Sequence, residues 1–194
     1  ANALLGSETQ IFNILDSSSS VSKASRMPPA AYYAEAYPRR TSGGASQALL
    51  TTQIQAFTAI WLEVGQVVTS IAFAAGGTAA TLPTNQWFSL YDSSRNKLAV
   101  TADDTTTAWS ASTIKALILS SPYTITTTGL YYLGIMVKAT AVPSIVGLSL
   151  NAALNAAPKI AGADATNNTL TDPASAPVTA AAFTDTAIMW AAVA

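Results

Sequence analysis

Hydrophobic positions in this chain occur in short runs that are separated by turn-forming residues. The run at residues 130–137 is eight residues long and rich in aromatic and β-branched side chains, which is typical of a strand rather than a helix. Both of its faces are apolar, so we expect a central strand that is covered on both sides. A second run, residues 114–119, is followed by Ser-Ser-Pro, which predicts that this strand ends at a polar corner.

The same two-residue period predicts further strands along the chain. In residues 55–63 it puts Phe57, Ala59 and Trp61 on one face. The sequence Asp-Ser-Ser-Arg-Asn at residues 92–96 predicts a hairpin loop, because Asp and Asn favour turns and tolerate positive φ. The other predicted strands are residues 66–74 with an unbroken alternation, 86–91, 97–100, 144–150 as a short strand or buried loop, and 186–193 with Ile188 and Trp190 on one face and Met189 on the other.

Seven or eight strands without an alternation of strands and helices predict an all-β fold, an antiparallel β-sandwich. A jelly roll is the first interpretation. An immunoglobulin-like sandwich is the second, because the Cys…Trp…Cys spacing of that family is absent. The sandwich domain is expected to span residues 47–194, with long loops in the Ala-, Asn- and Pro-rich residues 151–182.

Residues 1–46 differ in composition and are interpreted as an extended N-terminal arm. Four consecutive serines, three prolines and a Gly-Gly pair disfavour regular structure there. The arm is either a disordered tail or a segment ordered against partner subunits. Because Tyr and Arg are enriched at interfaces, the candidate partner-binding residues are Tyr32, Tyr33, Tyr37, Arg39 and Arg40.

The composition narrows the classes of function. Only 10% of the residues are charged, against a usual quarter, which fits a subunit that buries much of its surface against neighbours. The net charge of −1 lacks the basic stripe of a nucleic-acid-binding protein, and no apolar run reaches the roughly 18 residues of a membrane span. The chain has no His and no Cys, so Ser-His-Asp and Cys-His catalysis are impossible.

The remaining acid–base chemistry would depend on a few carboxylates. A glycosidase needs two carboxyl groups that face each other across a cleft, whereas adjacent Asp103 and Asp104 point to opposite sides of an extended chain. We therefore expect no enzyme, and no catalytic, metal or cofactor site. A Ca²⁺ site in a loop, from Asp92, Asn96, Asp103 or Asp104 with backbone carbonyls, is the alternative to the preferred interpretation of these residues as turn formers. Glu63 is expected as a solvated charge at a strand end.

Aromatic side chains leave one binding function open. Two or more of them in one groove could stack on a sugar, although aromatics in a sandwich more often fill the core or an interface. The candidates are Trp87, Tyr91, Trp109, Tyr123, Tyr131 and Tyr132.

The order of Phe-Ser-Leu-Tyr-Asp at 88–92, Ser-Ser-Pro-Tyr-Thr-Ile at 120–125 and Gly-Leu-Tyr-Tyr-Leu-Gly-Ile at 129–135 carries a resemblance. It resembles β-sandwich modules in virion proteins of tailed bacteriophages, especially those of actinobacterial hosts, in head-decoration, minor tail and tail-fibre proteins. The similar stretch is roughly residues 55–138. The resemblance implies a jelly-roll-like, non-enzymatic structural protein that forms a homotrimer, and it carries over no functional residues.

The expected function is therefore that of a virion protein. A capsid decoration protein that binds the shell through its arm and oligomerises is preferred, because the short chain has no heptad or collagen-like shaft. Its partners would be major capsid or tail subunits. The alternative is a tail-tip or tail-fibre module that recognises a host surface glycan.

Overall fold

The regular structure of this chain consists of β-strands. The computed structural model describes residues 32–38, 46–47, 50–149, 157–164 and 187–194. No helix occurs in these residues, and every strand pair is antiparallel, which confirms the all-β antiparallel prediction. The strands are β1 (Ala34–Glu35), β2 (Ser46–Gln47), β3 (Gln55–Leu62), β4 (Val67–Ala74), β5 (Asn85–Tyr91), β6 (Lys97–Val100), β7 (Ile114–Thr124), β8 (Gly129–Lys138), β9 (Ile145–Ser149), β10 (Ala161–Asp164), β11 (Ala187–Met189) and β12 (Ala191–Val193).

Two of the sheets form a sandwich, with the main hydrophobic core between them. The order is β1-β12-β4-β7 in one sheet and β10-β3-β8-β5-β6 in the other. Phe73 of β4 meets Phe88 of β5 across the core with ring centroids 4.9 Å apart. A third sheet, β11-β9-β2, joins the first through a bridge between Ala75 and Ile145. The fold is thus an antiparallel β-sandwich, and its more specific interpretation as a jelly roll stays a prediction.

Strand β8 is the central strand that its sequence predicts. It lies between β3 and β5, and every residue from 131 to 137 is buried. Leu133 and Ile135 belong to the main core, whereas Tyr132, on the opposite face, packs with Phe57 and Tyr91. Both faces of this strand are therefore covered, as the uninterrupted apolar run indicates.

Gly134 leaves room for side chains of the two strands beside β8 to contact each other above it. A Cβ at this position would lie 2.5 Å from both Gln55 Nε2 and Ser89 Oγ. Gln55 Nε2 donates to Ser89 Oγ at 2.8 Å and to the Tyr91 hydroxyl at 3.2 Å, and all three side chains are buried. The glycine thus leaves room for a satisfied polar network in the sheet.

The predicted corner after residue 119 is wrong, because β7 continues through Pro122 to Thr124. Residues 114–118 pair with β4 and residues 123–124 pair with it again, whereas the interval between them has no β4 partner. Within this interval Leu119 bridges to Thr101, after the end of β6. A proline in such an interval of an edge strand removes no ladder hydrogen bond, so the strand is not broken.

Strand β4 contains a bulge that its alternating sequence does not reveal. The amides of Thr69 and Ser70 both donate to the carbonyl of Ala194, at 2.6 and 3.0 Å. Two residues thus oppose one, and the alternation reverses after Val68, so that Val68 and Ile71 both enter the core. The unbroken alternation predicted for residues 66–74 is therefore wrong.

The remaining strands agree in part with those that the sequence predicts. The predicted closing strand divides at Trp190: β11 pairs with β9 and β12 pairs with β4. Its faces are confirmed, since Ile188 packs with Trp190 and Met189 enters the main core. Strand β10 forms inside residues 151–182, where the sequence predicted loops, and pairs with β3. The predicted hairpin joins β5 and β6, with Arg95 at φ 68°.

Candidate partner interface beside the N-terminal segment

Part of the predicted arm belongs to the sandwich sheet. Ala34 and Glu35 pair with β12, the Tyr33 amide donates to the Val193 carbonyl at 3.1 Å, and the Ala36 amide donates to the Ala191 carbonyl at 2.8 Å. We name residues 32–38 the edge segment. Residues 1–31 and 39–45, which include Arg39 and Arg40, lie outside the described residues.

The three candidate tyrosines of the edge segment contact their own chain. Tyr37 is buried against Trp190 and Ala192, and the Tyr32 ring meets the Trp190 ring edge-on at 6.3 Å. Tyr33 remains partly exposed, and its hydroxyl donates to the Val67 carbonyl at 2.5 Å. Partner binding by these tyrosines stays a prediction. Tyr33 is the most exposed of the three.

Burial disfavours the ionised form of these phenols. It raises the pKa of Tyr33 to about 12 and also raises the pKa of Tyr32 and Tyr37. All three therefore stay neutral near neutral pH. Two polar atoms of this cluster, the Tyr37 hydroxyl and Trp190 Nε1, are buried without a hydrogen-bond partner among the described residues. Such atoms are uncommon in native proteins and lower stability, so the edge segment is held mainly by apolar packing and backbone pairing.

An apolar groove of about 200 Å³ lies where the edge segment passes β3. The last paired position of β10 and β3 is Ala161 with Thr58, and one more hydrogen bond follows, from the Ala59 amide to the Ile160 carbonyl at 2.8 Å. Beyond Ala59 this edge of β3 has no β10 partner, and the groove lies there. We name this the seam groove, and the residues that line it are Ala36, Thr58, Ala59, Ile60, Trp61, Leu130, Ile160 and Ile188.

Trp61 gives the seam groove its largest exposed side chain. It is 62% exposed, although the sequence places it on the same face as Phe57, which is buried. Tryptophan is among the residues that most often dominate binding energy at protein interfaces. Val64 and Val67, in and after the turn that follows β3, are also exposed. Periodicity alone could not identify this site, because it predicts the face of a side chain but not whether that face is covered.

The candidate carboxylates organise loops. Asp92 accepts hydrogen bonds from the amide and the side chain of Asn96, at 2.8 and 2.9 Å. Asp103 accepts from the Gln86 amide at 2.9 Å. Their geometry supports the interpretation of these residues as turn and loop formers. The described part of the chain contains no group of three or more acidic residues that could hold a metal ion.

Asp104 makes a different contact, a buried ion pair with Lys115. The ammonium nitrogen lies 2.5 Å from a carboxylate oxygen, and the two side chains are 7% and 11% exposed. Burial by itself would raise the pKa of Asp104, but the hydrogen bonds from Lys115 and from the Thr107 and Thr106 amides outweigh it and lower that pKa. Adjacent Asp103 and Asp104 thus bind different partners, and the two carboxylates do not face each other as those of a glycosidase do.

The aromatic candidates for sugar binding are mostly core residues. Five of the six are buried, namely Trp87, Tyr91, Trp109, Tyr131 and Tyr132. Tyr123 is partly exposed, and together with Tyr131 it lines a second, polar cleft, which shares the lining residue Leu130 with the seam groove.

Comparison with protein families, with curated proteins and with solved structures finds no match for this chain. No helix in the described residues is long and apolar enough to cross a membrane. The case for a function therefore depends on the chain's own surfaces.

Proposed function

We propose that this protein is a virion structural protein of a tailed bacteriophage. Its role is that of a capsid decoration protein on the head surface, which binds the underlying shell through its N-terminal segment and oligomerises, with a homotrimer favoured. The resemblance of residues 55–138 to phage sandwich modules and the low charge of the chain support this role. The observation that carries it is Trp61, exposed on a strand beside the edge segment.

The energy available at Trp61 is large enough for an anchor. An aromatic side chain buries roughly 150–250 Å², so covering the 62% of Trp61 that is exposed would contribute about 3 kcal/mol. This corresponds to a factor of about 100 in affinity. The seam groove beside it offers further apolar surface next to the point where the N-terminal segment meets the sheet. A partner could therefore contact the groove and the segment at once.

A receptor-binding module at a tail tip or tail fibre is the second candidate. The polar cleft beside Tyr123 favours it, because a module of this kind would need a site for a host surface glycan. Capsid decoration remains preferred, because the exposed Trp61 lies beside the edge segment through which the chain would attach.

Occupancy on purified phage particles tests the proposal. A whole-particle map should place the full chain on the head lattice in a fixed ratio to the major capsid protein. Trp61→Ser should lower the affinity for particles by about 100-fold, and removal of residues 1–31 should also weaken attachment. This truncation spares the edge segment, which belongs to the sheet.

Leu82→Asn is the matched control. Leu82 is 74% exposed with φ 49°, a conformation that Asn tolerates, so this variant also removes an exposed apolar side chain without loss of the fold. It should bind particles normally. Absence of the chain from particles would refute the virion role. Location at the tail tip would favour the second candidate, and normal binding of both Trp61→Ser and the truncation would refute the attachment mode.

A further inference from the structure

A polar cleft of about 290 Å³ opens beside the turn between β5 and β6. Asp92 and Ser93 of that turn form one side, and Tyr123 of β7 forms another. Residues 126–131, which form the turn before β8 and the start of that strand, close it. Leu98 adds an apolar surface. The cleft therefore combines a carboxylate, several hydroxyl groups and a small apolar wall. Leu98 and Tyr123 also pack against the main core, and Leu130 lines both this cleft and the seam groove.

Local hydrogen bonds fix the shape of this cleft. Asn96 donates twice to the Asp92 carboxylate, and the Arg95 amide donates to the Asp92 carbonyl at 2.9 Å. On the other side, Thr128 Oγ1 accepts from the Val64 amide at 2.9 Å, and the Tyr131 hydroxyl donates to the Thr127 carbonyl at 2.7 Å. Groups held in this way lose little freedom when a ligand binds, which favours affinity.

Several polar atoms of the cleft retain capacity for a ligand. Each oxygen of Asp92 accepts one bond from Asn96, whereas an ionised carboxylate offers about four acceptor sites. The Tyr131 oxygen donates to Thr127 and can still accept. Burial raises the pKa of Tyr131, with smaller contributions from the neighbouring Tyr123 and Asp92, so the phenol stays neutral. Ser93 and Thr126 are exposed and can donate or accept.

We propose that this cleft binds the ring of a neutral saccharide. A sugar ring supplies hydroxyl donors for Asp92 and Tyr131 and an apolar face for Tyr123 and Leu98. Sites for drug-sized ligands measure about 300–1,000 Å³, so a cleft of about 290 Å³ suits a single ring.

The charge of the cleft selects against other ligands. No Lys or Arg lines it among the described residues, so an anionic sugar or a phosphate would meet the Asp92 carboxylate and no cation of the lining. Ca²⁺ takes six to eight oxygen ligands and prefers several carboxylates, and the cleft has one. This binding activity goes beyond the structural role and does not depend on it, although the receptor-binding candidate would need such a site.

An NMR titration of the ¹⁵N-labelled full chain tests the proposal. The neutral probes are glucose, galactose, mannose and N-acetylglucosamine, and N-acetylneuraminic acid is the anionic comparison. At least one neutral probe should shift the amides of Ser93 and residues 126–128 at millimolar concentration. The anionic probe should bind more weakly. If no neutral probe shifts these amides, or if the anionic probe binds more tightly, the proposal is overturned.

Two variants remove different parts of the site. Tyr123→Ala removes the apolar wall and Asp92→Asn removes the charged acceptor, and each should lower the affinity at least tenfold. Because Asp92→Asn could loosen the turn, Gly129→Thr provides a second route: a Cβ at Gly129 meets no atom within 4 Å, so a side chain there narrows the cleft without a clash.

Leu82→Asn is the control, since it removes an exposed apolar side chain that does not line this cleft. It should bind sugar normally, and thermal unfolding of each variant should show that it is folded. Unchanged sugar binding by Tyr123→Ala, Asp92→Asn and Gly129→Thr would overturn the site. Particle occupancy of these three variants should stay normal, so a failure here is distinguishable from a failure of the virion role.

Discussion

The buried pair of Lys115 and Asp104 should be a principal determinant of stability. Its two side chains are 7% and 11% exposed, and Lys115 ties the loop after β6 to strand β7. Removal of one partner from a buried pair costs about 3–5 kcal/mol, because the other charge stays desolvated. We therefore expect Asp104→Asn to lower the free energy of unfolding by an amount in this range.

The two single substitutions should differ in their cost. Without Asp104, the Lys115 ammonium keeps, of its partners in the described residues, the Thr107 carbonyl at 3.0 Å. Without Lys115, the Asp104 carboxylate keeps the amides of Thr107 and Thr106, at 2.9 and 3.3 Å. Lys115→Met should therefore cost less, about 1–3 kcal/mol. The double variant should cost about 2 kcal/mol less than the sum of the single variants, because the two side chains act as one unit.

Urea unfolding followed by tryptophan fluorescence measures these differences, with the slope against urea as the check that the unfolded state is unchanged. The pH dependence gives a second test. The folded pKa of Asp104 lies below its ordinary value of 3.8, so its contribution is complete above that pH and is lost as the pH falls through the folded pKa. The stability gap between wild type and Asp104→Asn should therefore close in acid. A gap that persists there, or a larger cost for Lys115→Met, would refute the reasoning.

Two matched pairs of substitutions test other packing claims by thermal unfolding. Gly134→Ala should destabilise the protein by about 1–3 kcal/mol, because its Cβ would lie 2.5 Å from two polar side-chain atoms; Gly129→Ala, in open space, should change stability by less than about 0.5 kcal/mol. Equal effects would contradict the close approach over β8. Tyr37→Phe should be neutral or stabilising because its hydroxyl has no partner in the described part of the chain, whereas Tyr131→Phe should cost about 1 kcal/mol. A clear loss for Tyr37→Phe would indicate that its hydroxyl is hydrogen-bonded.

Local sequence patterns predict most of the strands, because the apolar period of a segment determines which of its faces must be buried. The apolar run of β8 has no polar face that could meet water, so only a central position satisfies it. The Asp and Asn of the β5–β6 turn form the hydrogen bonds with each other that such residues favour, although the left-handed residue is Arg95. These outcomes depend on neighbours in sequence, and sequence alone therefore suffices.

Predictions failed where a distant residue decides the local structure. The bulge in β4 depends on the carbonyl of Ala194, which receives the amides of both Thr69 and Ser70. Pro122 is accommodated because Leu119 bridges to Thr101 while β7 leaves β4. Neither partner can be identified from the period of the strand itself, since both contacts join segments that the fold alone brings together.

The same limit explains why the candidate interface was missed. Phe57 and Trp61 lie four residues apart on one strand and share a face, yet Phe57 is buried and Trp61 is 62% exposed. Strand β10 pairs with β3 only as far as Thr58, and Phe57 lies within that paired part, packed with the aromatic cluster beside β8. Trp61 lies beyond it, at the seam groove. A bulky apolar side chain left uncovered at the end of a sheet edge is a reason to look for a partner there, because covering it is worth about 3 kcal/mol.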